Sequence, residues 1–420
     1  MKIFAKKLTN YPYLKRTIKN IYTKTGNLLS DKKSELEGLT QISSANQEHN
    51  FGYYDTPPWS KDQRYLIYLR PSNAQKNYVS TANTDIILYD TADGTEKSIA
   101  VTHVWNSQQG CMLQWLGPDF SSHILYNDFR DGTFCSVSYN ISDATETVYK
   151  IPIYSVSADG KSAISLDFSR LNTFRPGYGY SNISDKTAME KYPDINCIFK
   201  LDLTNNSVSE LPITYKKLSE FMPVDSMSEG FHKVNHIMLN PSADRFMFIH
   251  RWIVDGVTHH RLLSCDTDGN DIYVILDDVM VSHCNWKDDE QIISYCYTEE
   301  YKDAYHILHD KSDTKEVICQ KELTSDGHPS FSPNGEFIIT DTYPDFKRKQ
   351  ALYLIRVSDY KVKKLGSIYS SIKYINETRC DLHPRWNYNS EEICIDASPK
   401  SKRQVYTLKV DTSFQSDEME

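Results

Sequence analysis

The stretch Val234–Trp252, VNHIMLNPSADRFMFIHRW, sets a histidine three residues ahead of an aliphatic residue, then a polar turn, then an apolar strand. The same arrangement recurs as His283-Cys-Asn-Trp286 before QIISYCY, as His328-Pro-Ser-Phe331 before FIITDTY and as His383-Pro-Arg-Trp386 before EICIDAS. Moving outward, Tyr54–Trp59 leads into RYLIYLR, CMLQW into HILYND, and IPIYSVSADGK into SAISLDF. Each opening is followed by two further short strands bounded by turn residues, except that the last unit shows only one more before the chain turns acidic. Seven such units at a spacing of roughly 45–55 residues are the signature of a radial repeat. The expected fold is all-β: a seven-bladed β-propeller over residues 36–411, flanked by a basic helical extension (1–35) and an acidic tail (412–420). Because the seventh unit lacks an outer strand, GLTQIS (38–43) is expected to supply it and so close the ring and protect its edge.

Composition agrees. Of 420 residues, 29 are Tyr and 16 are Phe, which favours strands over helices. A net charge of −9 argues against nucleic acid as a partner, because phosphate neutralisation needs a basic face. Nine scattered cysteines without a C-x-x-C pair read as reduced, buried thiols. No apolar run approaches the ~20 residues of a membrane helix, and the expected location is cytoplasmic. Residues 1–33 differ from the rest, with nine Lys/Arg against Asp31 alone. Leu14, Ile18, Ile21 and Tyr22 share one helical face, and Pro12 suits a helix start. Such a segment either packs on the domain as a solvated extension or lies peripherally on an anionic membrane, here its inner face.

The register places His236, His283, His328 and His383 around one mouth of the channel, in the sector of units four to seven. The equivalent places in units one to three hold Thr56, Met112 and Ile153. Two long connections, 71–84 and 169–194, are expected on the same face, and compact domains keep connections short unless they serve a purpose. The second carries Arg170, Arg175, Tyr178 and Tyr180, while unit four contributes Arg251, His260 and Arg261. Imidazoles on a rigid ring suit a divalent metal ion such as Mn, Zn or Fe. The competing reading is that each histidine merely caps its strand. Arginine forks suit a carboxylate.

The runs NHIMLNP…FMFIHRW…HHRLLSCDTDG, SHCNWKDDEQIISYC and GHPSFSPNGEFIITD resemble the oligogalacturonate lyases and related TolB-type propellers over roughly 234–343. The resemblance implies β-elimination on a uronate-containing acidic oligosaccharide or polysaccharide. A histidine would act as base, and a divalent ion held by histidines and a glutamine would neutralise the uronate carboxylate. Carried over, His236 would be the base and His283 and His328 metal ligands, with His383 a further ligand by register. Arg251 and Arg261 would contact the carboxylate, with Tyr178 beside them. Arg170, Arg175, Tyr180 and His260 would complete the substrate surface. The resemblance does not place the glutamine ligand in this sequence. The alternatives are a non-catalytic propeller that binds a glycan or protein, and a hydrolase or transferase on the same ring. No G-x-S-x-G elbow supports a serine nucleophile.

Overall fold

In every unit the polar turn after the inner strand closes with one backbone bond. Ser60 N–H donates to Tyr65 O (2.8 Å), Leu116 to His123 (2.8 Å), Ser157 to Ser162 (2.9 Å) and Asn240 to Arg245 (2.9 Å). Lys287 to Gln291, Ser332 to Phe337 and Asn387 to Glu392, each at 2.8 Å, continue the series. This recurrence underlies a seven-bladed β-propeller. The computed structural model describes residues 12–72, 79–80 and 83–414. The first eleven residues of the basic segment, the middle of the 71–84 connection and the end of the acidic tail lie outside the described residues.

Six blades have four antiparallel strands among the described residues. Blade 1 has three: Tyr65–Pro71, Thr84–Asp90 and Glu96–Thr102. Its expected inner strand, Tyr54–Trp59, makes a single bridge, Trp59 to Leu66. Pro57 and Pro58 have no N–H to offer a ladder. In blade 7, Thr40–Gln41 lies outside Gln404–Lys409, pairing Thr40 with Thr407 and Gln41 with Tyr406.

The large residue three places after a histidine has its own task. Trp286 Nε1 donates to Met238 O of the preceding blade (2.9 Å), and Trp386 Nε1 to Ser330 O (3.1 Å). Trp115 does the same for blades 1 and 2 through Pro58 O (2.9 Å). Each indole fills the gap between blades while satisfying its one donor.

The helix Pro12–Leu29 packs on blade 6. Tyr22 meets Phe346 at 4.6 Å between ring centroids, and Tyr369 donates its hydroxyl proton to Asn27 Oδ1. Gly26 permits the approach: a Cβ there would stand 1.6 Å from Phe346 O. Lys349 then pairs with Asp31 at 2.8 Å. The expected apolar face is only partly used, since Ile21 is 61% exposed, and Leu28 and Leu29 also face outward.

Arg385 of blade 7 pins the chain entering the ring. Its Nε donates to Tyr53 O (2.6 Å) and its Nη2 to Gly52 O (2.7 Å) and Asp396 Oδ2 (3.2 Å), with Phe51 under the guanidinium. Arg385 and Asp396 are both buried. Truncating one partner strands the other charge, so Arg385→Ala should lower unfolding free energy by roughly 3–5 kcal/mol, measured by denaturant titration.

Candidate metal centre and anion pocket

Two tyrosines occupy the space inside the histidine ring. The Tyr54 ring centroid lies 5.4 Å from that of His328, 5.8 Å from His283, 6.1 Å from His236 and 6.2 Å from His383. Its hydroxyl donates to Cys284 O at 2.7 Å. Tyr53 sits 5.1 Å from His383, 5.6 Å from His236 and 6.4 Å from His283. Sequence reasoning passed over both. The available signal was FGYYDTPPW, an aromatic pair beside a glycine immediately before the first blade. Gly52 (φ +142°) turns the chain where a Cβ would stand 2.8 Å from Gln109 O.

His328 and His383 come together with Asp381, and one ligand atom from each lies within 4.8 Å of the other two. Asp341 arranges the first two. Its Oδ1 accepts the His328 backbone N–H (2.8 Å) and faces His328 Nδ1 (2.7 Å), while Oδ2 accepts the His383 N–H (3.2 Å). Burial opposes charge on His328, but the Asp341 carboxylate outweighs it and raises the pKa. His383 Nδ1 donates to Gly52 O at 2.7 Å, and its pKa is depressed by burial and by neighbouring His328. Asp381 Oδ2 accepts from Arg379 Nε at 2.5 Å. Three buried atoms remain without a partner: His328 Nε2, His383 Nε2 and Asp381 Oδ1. A partner on Nδ1 fixes the tautomer that leaves the Nε2 lone pair free, which is how proteins present imidazole to a metal. Asp381 was not foreseen, although it stands two residues before His383.

His283 flanks this group, its ring 4.1 Å from that of His328. Its Nδ1 contacts Ser282 Oγ (3.0 Å) and Asp326 Oδ1 (3.2 Å), but it is not among the three convergent ligands. His236 stands apart, 6.2 Å from His283. Its Nδ1 is 3.1 Å from Tyr53 Oη, and its Nε2 is 3.1 Å from both Tyr54 Oη and Cys284 N. Each ring nitrogen of His236 therefore lies against a tyrosine hydroxyl. Burial, helped by Arg251 and Arg175, pushes its pKa down to about 3. A β-bulge between Asn235 and Met238 and a left-handed φ of +58° aim the side chain inward. His383 (φ +46°) and Met112 (φ +55°) share that backbone conformation.

The arginines divide into two groups. Arg251 and Arg175 border the ring. Arg251 Nη2 donates to Val281 O (3.1 Å), its Nη1 is buried and unpartnered, and burial beside Arg175 lowers its pKa to about 9. Arg175 lies 4.2 Å over the Tyr178 ring, and its Nε and the Tyr178 hydroxyl are also buried without partners. His260 backs Arg251, its Nδ1 2.8 Å from the same Val281 carbonyl. The other three expected residues point elsewhere. Arg170 ties the insertion together through His232 O, Thr187, Asp185, Glu190 O and Lys191 O. Arg261 is consumed by Asp277, Phe221 O and Met222 O. Tyr180 stacks on Phe168 at 4.6 Å, with its hydroxyl accepting from Asn127. Every guanidinium nitrogen of Arg170 and Arg261 is engaged inside the protein, and Tyr180 is buried in the core, so the structure does not bring these three to the ring.

Several solved structures share this architecture. Oligogalacturonate lyase from Vibrio parahaemolyticus superposes with a TM-score of 0.63, at 11% identity, over 91% of this chain and 97% of that one. The chain shares its seven-bladed propeller fold with that protein. A second such lyase, solved in complex with manganese, gives a TM-score of 0.64 at 14% identity, over 91% and 95% of the two chains. TolB from Acinetobacter baumannii matches 77% of this chain and 56% of its own at 14% identity, with a TM-score of 0.37. No protein-family model and no curated protein sequence matches the chain.

Buried neutral imidazoles link stability to pH. Burial pushes His232 down to about 4 and His236 to about 3, whereas an unfolded histidine titrates near ~6.5. The unfolded chain then binds more protons below that value, so stability is complete above it and is lost as pH falls toward the folded values. Each ring contributes a slope of up to about 1.4 kcal/mol per pH unit. Asp55, raised by burial to about 6, acts in the opposite sense at mildly acidic pH. Urea titrations at stepped pH should show unfolding free energy falling below neutrality, with a shallower slope in His232→Gln.

Proposed function

We propose that this protein is a metal-assisted lyase that cleaves a uronate-containing acidic oligosaccharide by β-elimination. One observation carries the reading: His328, His383 and Asp381 bring ligand atoms within 4.8 Å of one another, each of the three has a buried atom without a partner, and Arg251 and Arg175 have no carboxylate partner among the described residues. Two imidazoles and a carboxylate suit Mn, Zn or Fe, and one structural neighbour is a manganese complex. A divalent cation held by His328, His383 and Asp381 would supply Lewis-acid stabilisation of the charge that develops on the substrate carboxylate.

The chain's own residues account for the remainder. Arg251 and Arg175 clamp the carboxylate, Arg251 backed by His260, with Tyr178 packed against Arg175. Tyr53 and His236 act together as the base. The C5 proton passes to Tyr53 Oη while the tyrosine's own proton moves to His236 Nδ1, 3.1 Å away, which can accept it in the tautomer whose Nε2–H donates to Cys284 O (3.1 Å). The C5–H electron pair forms the C4=C5 double bond, the C4–O bond breaks, and the departing sugar oxygen takes a proton from water. Burial keeps His236 neutral.

Purified protein should hold divalent metal by elemental analysis and release product with the ultraviolet absorbance of an unsaturated uronate. Asp381→Asn should lose both metal and product. Tyr53→Phe should keep the metal and lose about 10²–10⁴ in kcat. Product formation by metal-free protein, or a Tyr53→Phe variant at full rate, would refute the mechanism. Glycan binding without product would instead favour a non-catalytic propeller.

A further inference from the structure

We propose that the outward face of the helix Pro12–Leu29 is a docking surface for an anionic lipid membrane, on which the helix lies flat. This face is separate from the histidine ring, and its chemistry does not depend on the lyase reading.

The helix presents two faces. Tyr22, Gly26 and Asn27 turn toward blade 6, where they meet Phe346 and Tyr369. At ~100° per residue, Ile18, Ile21, Thr25, Leu28 and Leu29 fall on one stripe that points away from the blade. Ile18 is 38% exposed, Ile21 61%, Leu28 82% and Leu29 62%. They make up four of the ten large apolar side chains exposed among the described residues, so they form a patch and not the usual scatter.

The docked face holds the stripe in a fixed orientation. A Cβ at Gly26 would stand 1.6 Å from Phe346 O, so the helix sits directly against the blade backbone. Asn27 with Tyr369 and Asp31 with Lys349 secure its C-terminal end. A stripe ordered beforehand avoids the ordering cost that a free peptide meets on binding.

Charge selects the occupant. Residues 1–33 carry nine Lys/Arg and one acid, a net +8 in a chain whose total is −9. Lys24, Lys32 and Lys33 are exposed, while Asp31 and Glu35 both face Lys349, at 2.8 and 3.7 Å. Apolar side chains bordered by lysines along one helix match the boundary between acyl chains and acidic headgroups. A second copy would set two such basic segments side by side, which like-charge repulsion opposes. The helix is not long and apolar enough to cross a membrane, so it lies in the interface plane.

Flotation of the full-length protein with lipid vesicles tests this surface. Binding is expected to vesicles of phosphatidylglycerol and phosphatidylcholine in equal parts, to weaken as salt is raised, and to be absent with phosphatidylcholine alone. Ile21→Ser combined with Leu28→Ser should weaken it about tenfold or more, and Lys24→Glu combined with Lys33→Glu should do the same. The thermal unfolding midpoint should stay unchanged in both, because all four side chains are exposed. No flotation of the unaltered protein, equal binding to neutral vesicles, or full binding by the Ile21→Ser, Leu28→Ser protein would overturn the proposal. So would a dimer in lipid-free buffer that this same pair of substitutions dissolves, since a second copy would then be the occupant.

Discussion

The Asp341 carboxylate joins two blades and, in doing so, decides what their histidines can do. One oxygen takes the backbone and ring N–H of His328, and the other takes the backbone N–H of His383. Asp341 is itself 1% exposed, so this geometry is held in a low-dielectric interior where it is hard to rearrange. With Nδ1 of His328 committed to Asp341 and Nδ1 of His383 to Gly52 O, each ring keeps a buried Nε2 without a protein partner, in a group that also contains Asp381. Without that carboxylate, neither the tautomer of His328 nor the spacing between the two rings would be set.

The propeller separates stability from chemistry within a few residues. In His283-x-x-Trp286 and His383-x-x-Trp386 the indole bonds to the blade before, and the histidine faces the axis. The site also carries costs that the fold must offset. His236 and His383 adopt left-handed backbone, worth of order 1–3 kcal/mol each in strain. Arg251 and Arg175 are crowded cations with buried, unpartnered nitrogens. Strain and unsatisfied charge concentrated in one place are what a site awaiting a cation and an anion contains.

Much of this was legible in the sequence, for identifiable reasons. The repeated unit announces the propeller because hydrophobic strands and turn residues recur at fixed spacing, and the register of the four histidines places them at one mouth. Direction was not legible. Arg170, Arg175 and Tyr178 lie in one insertion, yet only the last two reach the ring, since Arg170 is drawn inward by the carbonyls of its own loop. Arg261, ten residues after Arg251 and paired across a strand with His250, faces Asp277 instead. Asp381 looked like part of a connection because its contribution depends on Arg379 occupying its other oxygen. Tyr53 and Tyr54 were hidden because the segment that carries them forms almost no ladder and enters the ring as an irregular strap held by Arg385.

The central claim is that His328, His383 and Asp381 form one metal site whose imidazoles are set by partners behind them. Anomalous diffraction from a manganese-soaked crystal tests it most directly. The account predicts a single strong peak bonded to His328 Nε2, His383 Nε2 and Asp381 Oδ1. A crystal without a peak there, or with manganese bound only at another group of residues, would contradict it.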